Sequence, residues 1–240
     1  MDLTDRQIQI IKCMVEEYSE TADAVGSETL DKKYNLGISP ATIRNEMVEL
    51  TRKGFLAQLH TSAGRIPTPA AIKFYVAELL KEKDLSVAEE VSVKERVWDV
   101  RDELDLLLKE ATRVLSERTG MLSIATTDNH RFYHSGYARM LDLPEFFNID
   151  ITRQVLYLLE EDNRLYAIFD RAQGDDPIHI LLGEELGAEM FRPLSLVFAD
   201  FKIGRHTGRL GVLGPCRLNY AQVIPMVRYV NQIVSEIGKG

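Results

Sequence analysis

Apolar positions in the first eighty residues recur at helical spacing and are punctuated by helix start and stop signals. Ile8, Ile11, Val15 and Tyr18 form one stripe behind Thr4 and Gln7, which have capping-box spacing, so a first helix is predicted over about residues 5–19. A short second helix follows Ser27, carries Leu30 inward and ends near Tyr34. Ser39 as N-cap and Pro40 at the first helical position open a third helix, and Gly54 stops it after Lys53. Residues 55–59 then read as a strand, residues 65–67 as its return, and Thr68-Pro69 as the start of a helix to about Leu80. Helix–helix–helix–hairpin–helix is the order of a winged helix.

Residues 83–91 are charged and lack a strong period, so they are read as a linker between a domain at 1–82 and another at 92–240. Val93, Val97, Val100, Leu104, Leu107, Ala111 and Val114 then alternate in steps of four and three over three heptads. They predict one long amphipathic helix, 93–118, joining the two domains. Its seam is either a dimer contact or a face packed on its own domain's sheet. After Gly120 the pattern turns to β, with strands predicted at 121–126, 178–182, 194–201 and 210–213 and a polar connection at 128–137. Helices are marked by Ile151, Val155, Leu158 and Leu159, and by Val223, Val227, Val230, Val234 and Ile237. Amphipathic helices around an antiparallel sheet make an α+β domain, and there is no internal repeat.

Composition narrows the function. The 240 residues are 45% hydrophobic and 28% charged, ordinary for a globular protein. Cys13 and Cys216 lie far apart and fit no metal spacing, and the start of the chain lacks a signal-peptide core, so a reduced cytoplasmic setting without membrane is expected. The net charge of −8 is unevenly spread. Residues 2–31 hold two basic and eight acidic side chains (−6), whereas residues 32–73 hold seven basic and two acidic ones (+5). A basic segment inside an acidic chain permits local binding to duplex DNA while discouraging indiscriminate coating.

Ile43, Met47 and Leu50 seal the third helix onto the core, which turns Ala41, Arg44, Asn45, Val48 and Arg52 outward, with Thr42 on the flank and Ser39 at the start. Arg reads guanine and Asn reads adenine in the major groove, so Arg44 and Asn45 are the candidate base readers. Thr61, Ser62, Gly64 and Arg65 suit a wing: two small donors, a residue permitting close backbone approach, and a cation for phosphate. Ser27 and Thr29 could hold phosphate at the start of the second helix. Taken singly, each is as well explained by a solvated polar surface.

Catalysis has no positive support. His130 and His134 could share a face, but no third metal ligand accompanies them. Cys216 lacks a neighbouring base and reads as a small buried residue, while Asp175-Asp176 and Glu184-Glu185 read as solvated pairs. Neither a phosphate-cradling loop nor any cofactor signature is present.

The run His60-Thr61-Ser62-Ala63-Gly64-Arg65-Ile66-Pro67, with residues 25–27 and 39–47 before it, resembles the heat-inducible transcription repressor HrcA family. The likeness is densest over residues 3–76 and resumes at 115–120 and 211–223. It implies a dimeric repressor of chaperone genes on an inverted-repeat operator, released on heat stress. It also implies a GAF-like C-terminal domain and chaperonin as a folding partner. The family carries an inserted dimerising domain, for which residues 126–136 leave no room, so the heptad helix becomes the expected self-contact. Two other readings stand beside it. One is a one-component winged-helix regulator sensing a small ligand in its GAF-like cavity. The other is a winged-helix protein-interaction adaptor, which the basic excess at 32–73 disfavours.

Overall fold

The computed structural model describes residues 3–58, 64–172, 174 and 176–237. The chain divides into two units, Met1–Lys81 and Glu82–Gly240.

The first unit consists of α1 (Asp5–Thr21), α2 (Ser27–Tyr34), α3 (Pro40–Arg52), the antiparallel strands β1 (Leu56–Ala57) and β2 (Ile66–Pro67), and α4 (Pro69–Phe74), which continues as a π-helical turn, Tyr75–Leu79. Local chemistry accounts for the boundaries. Thr4 and Gln7 close the anticipated capping box, Ser39 accepts the Thr42 amide and Thr68 accepts that of Ala71. Ile10, Ile11, Met14, Leu30, Ile43, Leu50 and Leu56 are sealed in the core, where each contributes about 1.5–3 kcal/mol relative to exposure. The inward face of α1 is turned from the stripe expected: Ile10 and Met14 are buried, while Ile8 and Tyr18 stay at the edge. Gln7 occupies the inside position in place of Ile8, because its amide has polar partners on α3.

The second unit is α+β. Its sheet runs β4–β3–β7–β6–β5, with β3 (Leu122–Thr127), β4 (Phe132–Ser135), β5 (His179–Leu182), β6 (Leu194–Ile203) and β7 (His206–Pro215) all paired antiparallel. α5 (Val87–Trp98), α6 (Leu104–Thr119) and α10 (Tyr220–Ile237) pack together, with α6 and α10 lying along the sheet. Leu122, Ile124, Leu196 and Phe198 share a second core with α7 (Tyr137–Leu141), α8 (Ile149–Glu160) and α9 (Asp162–Phe169). Alternation along the strands supplies both faces, and the buried Ser123 and Ser195 hydroxyls donate to the carbonyls of Gly211 and Pro215.

Four expectations are corrected here. The helix predicted over 93–118 is two helices, interrupted at residues 99–103, where Asp99, Arg101, Asp102 and Glu103 crowd charge around the half-buried Val100. Its seam is not a dimer contact: Val93, Val97, Leu107, Ala111 and Val114 are fully buried inside one subunit, Val100 and Leu104 lie at its edge, and no second chain can reach the centre. The polar connection at 128–137 holds strand β4, an edge strand whose half-exposed residues hide the alternation. Nor is 83–91 a free linker, because Arg228 holds Glu82, the Lys83 amide donates to the Ala221 carbonyl, and α5 begins at Val87. Among the described residues no helix is long and apolar enough to cross a membrane.

Candidate nucleic-acid interface

Because α3 buries Ile43, Met47 and Leu50 completely, its opposite face is open. Ala41, Arg44, Asn45 and Arg52 are exposed there, and Val48 is half-buried. Arg44 and Asn45 make no hydrogen bond or ion pair among the described residues. Among the described residues most other cations of the basic segment are engaged, Lys32 excepted. Lys33 Nζ lies 2.7 Å from Glu17 and 2.6 Å from Glu20, Arg52 pairs with Glu49 at 2.6 Å, and Lys53 Nζ donates to Gln7 Oε1 at 2.8 Å. Bound by Lys33 and by the Tyr34 hydroxyl, the Glu17 carboxyl is held below its ordinary range, which ties α1 to α2.

Neighbouring networks fix how α3 is presented. The buried Gln7 side chain donates to Glu46 Oε2 at 3.0 Å while accepting from Lys53 at the end of α3, so α1 grips α3 at two points about two turns apart. At the far end, the Thr51 hydroxyl donates to the Met47 carbonyl and accepts from Arg65 Nε at 2.9 Å. That bond joins α3 to the hairpin. Arg65 also exchanges two backbone hydrogen bonds with Val25, at 2.8 and 2.9 Å. These side-chain ties were not foreseen in the sequence, where only the capping role of Gln7 was visible.

Several sequence-assigned contacts take other places. Ser27 is buried, so its hydroxyl is withdrawn from a phosphate while Thr29 remains exposed. Ser39 and Thr42 pair their hydroxyls at 2.9 Å and belong to the helix start. Gly64 permits a close approach, but inside the protein: a Cβ there would lie 2.5 Å from the Val25 carbonyl oxygen and 2.8 Å from that of Ala24. Arg65 sits half-buried at the base of the hairpin. Thr61 and Ser62 lie outside the described residues.

The second unit offers different surfaces. An open cleft of about 680 Å³ at the end of the sheet is lined by Thr127, Asp128, His130, Tyr166 and Arg209 among others. Arg209 is held there by Asp170 at 2.6 Å and Asp200 at 3.2 Å, and the His130 ring meets Tyr166 edge-on. His134 is engaged by the Tyr137 hydroxyl at 3.0 Å. Burial pushes the thiols of Cys13 and Cys216 up to about 11 and about 12, and Cys216 donates to the Leu194 carbonyl, as suits packing residues.

The chain thus combines a helical unit that has one open, polar helix face with an α+β sheet unit. Comparison with known proteins places it. A profile of the HrcA protein C-terminal domain matches residues 46–224, well over half of the chain, and the chain belongs to the HrcA family. Its relatives include proteins named heat-inducible transcription repressor HrcA. That of Symbiobacterium thermophilum is 26% identical, with 99% of each chain covered, and that of Pelotomaculum thermopropionicum is 26% identical, with 99% of this chain and 97% of the relative covered. The first alignment runs over 338 positions, so at least 98 of them face gaps in this 240-residue chain. A crystal structure described as that of a hypothetical protein shares the fold, with a TM-score of 0.77 over 98% of both chains at 17% identity.

Proposed function

We propose that this chain is a sequence-specific transcriptional repressor of heat-shock genes, in which a winged-helix unit binds duplex DNA and a GAF-like sheet unit regulates it. The observation that carries this reading is the open face of α3, where Arg44 and Asn45 stand exposed and, among the described residues, unpaired, while Lys33 and Arg52 are engaged. A guanidinium and a carboxamide on adjacent residues of a groove-sized helix suit guanine and adenine edges. The names of the relatives supply the regulated process, and membership of this family excludes catalysis as the chain's task. An inverted-repeat operator, a two-fold protein, cytoplasmic action and chaperonin-assisted folding complete the proposal. Binding of the purified protein to its own promoter and to chaperone-gene promoters, with and without chaperonin and across temperature, tests it. Selective binding lost on heating is the expected result, and indifference to sequence at every temperature would refute it.

A second reading draws on the cleft beside Tyr166 and Arg209, whose converging polar groups fit a small polar effector. It predicts that a metabolite, rather than heat, alters promoter affinity.

A further inference from the structure

The helix α8 is apolar on two sides. Val155, Leu158 and Leu159 point into the sheet core, yet the opposite stripe carries Ile149, Leu156 and Tyr157 in the open, continued at its N-terminal end by Phe147. Phe147 is 71% exposed and Ile149 64%. At 100° per residue Ile149, Arg153, Leu156, Tyr157 and Glu160 fall on one side of the helix. Large apolar side chains exposed on one helix face, here interspersed with Arg153 and Glu160, mark a candidate interaction site.

We infer that this face of α8 is the contact with a second copy of the chain. The inference rests on the DNA-binding reading in one respect: two half-sites require a two-fold protein, and the heptad seam is closed inside the subunit. The face is also self-complementary. Two α8 helices packed antiparallel about an axis beside Leu156 and Tyr157 bring those residues together across the axis. Each Arg153 then meets the partner's Glu160. Among the described residues Arg153 is held only by an exposed i,i+3 pair with Asp150 at 3.0 Å, which exchanges readily, and Glu160 has no ion pair. The exposed apolar stripe on α5 is a poorer candidate, since Lys94 and Arg101 lie over the Trp98 ring at 5.8 and 5.6 Å.

Sedimentation of the full chain without DNA tests this. The wild type should run at twice 27.3 kDa, and the double variant I149E/L156E as a folded species of 27.3 kDa with unchanged circular dichroism, because both side chains are already exposed. R153E and E160R should each weaken the dimer by about two- to thirtyfold, as the contact occurs twice, and the combined swap R153E/E160R should restore it. A monomeric wild type, a dimeric I149E/L156E, or dissociation caused instead by V91E, at an exposed apolar position of α5, would overturn the inference. A dimer formed through α8 that ignores promoter DNA would overturn only the functional reading, so the two failures are distinct.

Discussion

Replacing Gly64 by alanine separates two physical roles for the same glycine. The added Cβ would lie 2.5 Å from the Val25 oxygen, 2.6 Å from the Val25 carbonyl carbon and 2.8 Å from the Ala24 oxygen, all backbone atoms that cannot rotate away. The hairpin base or the 24–25 segment must therefore move, and the first bonds lost are the Val25–Arg65 pair at 2.8 and 2.9 Å. Two backbone hydrogen bonds at about 0.5–1.5 kcal/mol each give a destabilisation of about 1–3 kcal/mol, which agrees with the usual cost of overpacking. Hydrogen exchange at the Val25 and Arg65 amides reads this directly, because each donates across the bridge. Their protection should fall by about 5- to 150-fold, while the buried sheet amides of the second unit stay unchanged. If protection is unaltered and only affinity for DNA drops, the glycine serves an approach to phosphate and the packing argument is wrong.

Three further outcomes follow from the same networks. Arg65→Ala should weaken specific and scrambled DNA alike and make the salt dependence shallower by about one unit, since a cation at the wing releases a counterion; an unchanged slope measured by anisotropy would remove this residue from the interface. Gln7→Leu leaves Glu46 and Lys53 without their shared partner and should cost about 1–3 kcal/mol in urea denaturation of the first unit, whereas a neutral result would show that α1 and α3 are held by apolar packing alone. Because the folded Glu17 carboxyl titrates below its ordinary value of 4.5, its contribution is complete above that pH and is lost as the pH falls through the lower, folded value; Glu17→Gln should flatten the acid limb of the stability profile below pH 4.5, and an identical acid limb would contradict the tie to Lys33.

Local signals in the sequence carried much of the first unit. Thr4, Ser39 and Thr68 each accept a free amide three residues on, from Gln7, Thr42 and Ala71, and Pro40 and Pro69 have no amide to leave free, so their effect is legible without tertiary knowledge. The face of α3 was equally legible, because Ile43, Met47 and Leu50 repeat at helical spacing. What failed depended on distance. The bond from Thr51 to Arg65 and the bridge from Val25 to Arg65 join segments that no periodicity links, and so the close contact of Gly64 with Val25 was not legible. The four-three spacing from Val93 to Val114 passed without a break through residues 99–103 and could not register the turn between α5 and α6. A heptad repeat reports that a face is buried, but not whether the neighbour belongs to the same chain.

Base reading by α3 is the centre of the functional account, and Arg44→Ala tests it most directly. Wild type and variant are titrated against a labelled promoter duplex and a scrambled duplex of equal length at one fixed salt concentration. Arg44 is exposed on the face opposite Ile43, Met47 and Leu50, so the variant should fold normally. Its affinity for the promoter should fall by about 1–3 kcal/mol while the scrambled duplex binds as before. Equal losses on both duplexes would make Arg44 a phosphate contact, and a wild type that binds both duplexes equally would contradict sequence reading by this helix altogether.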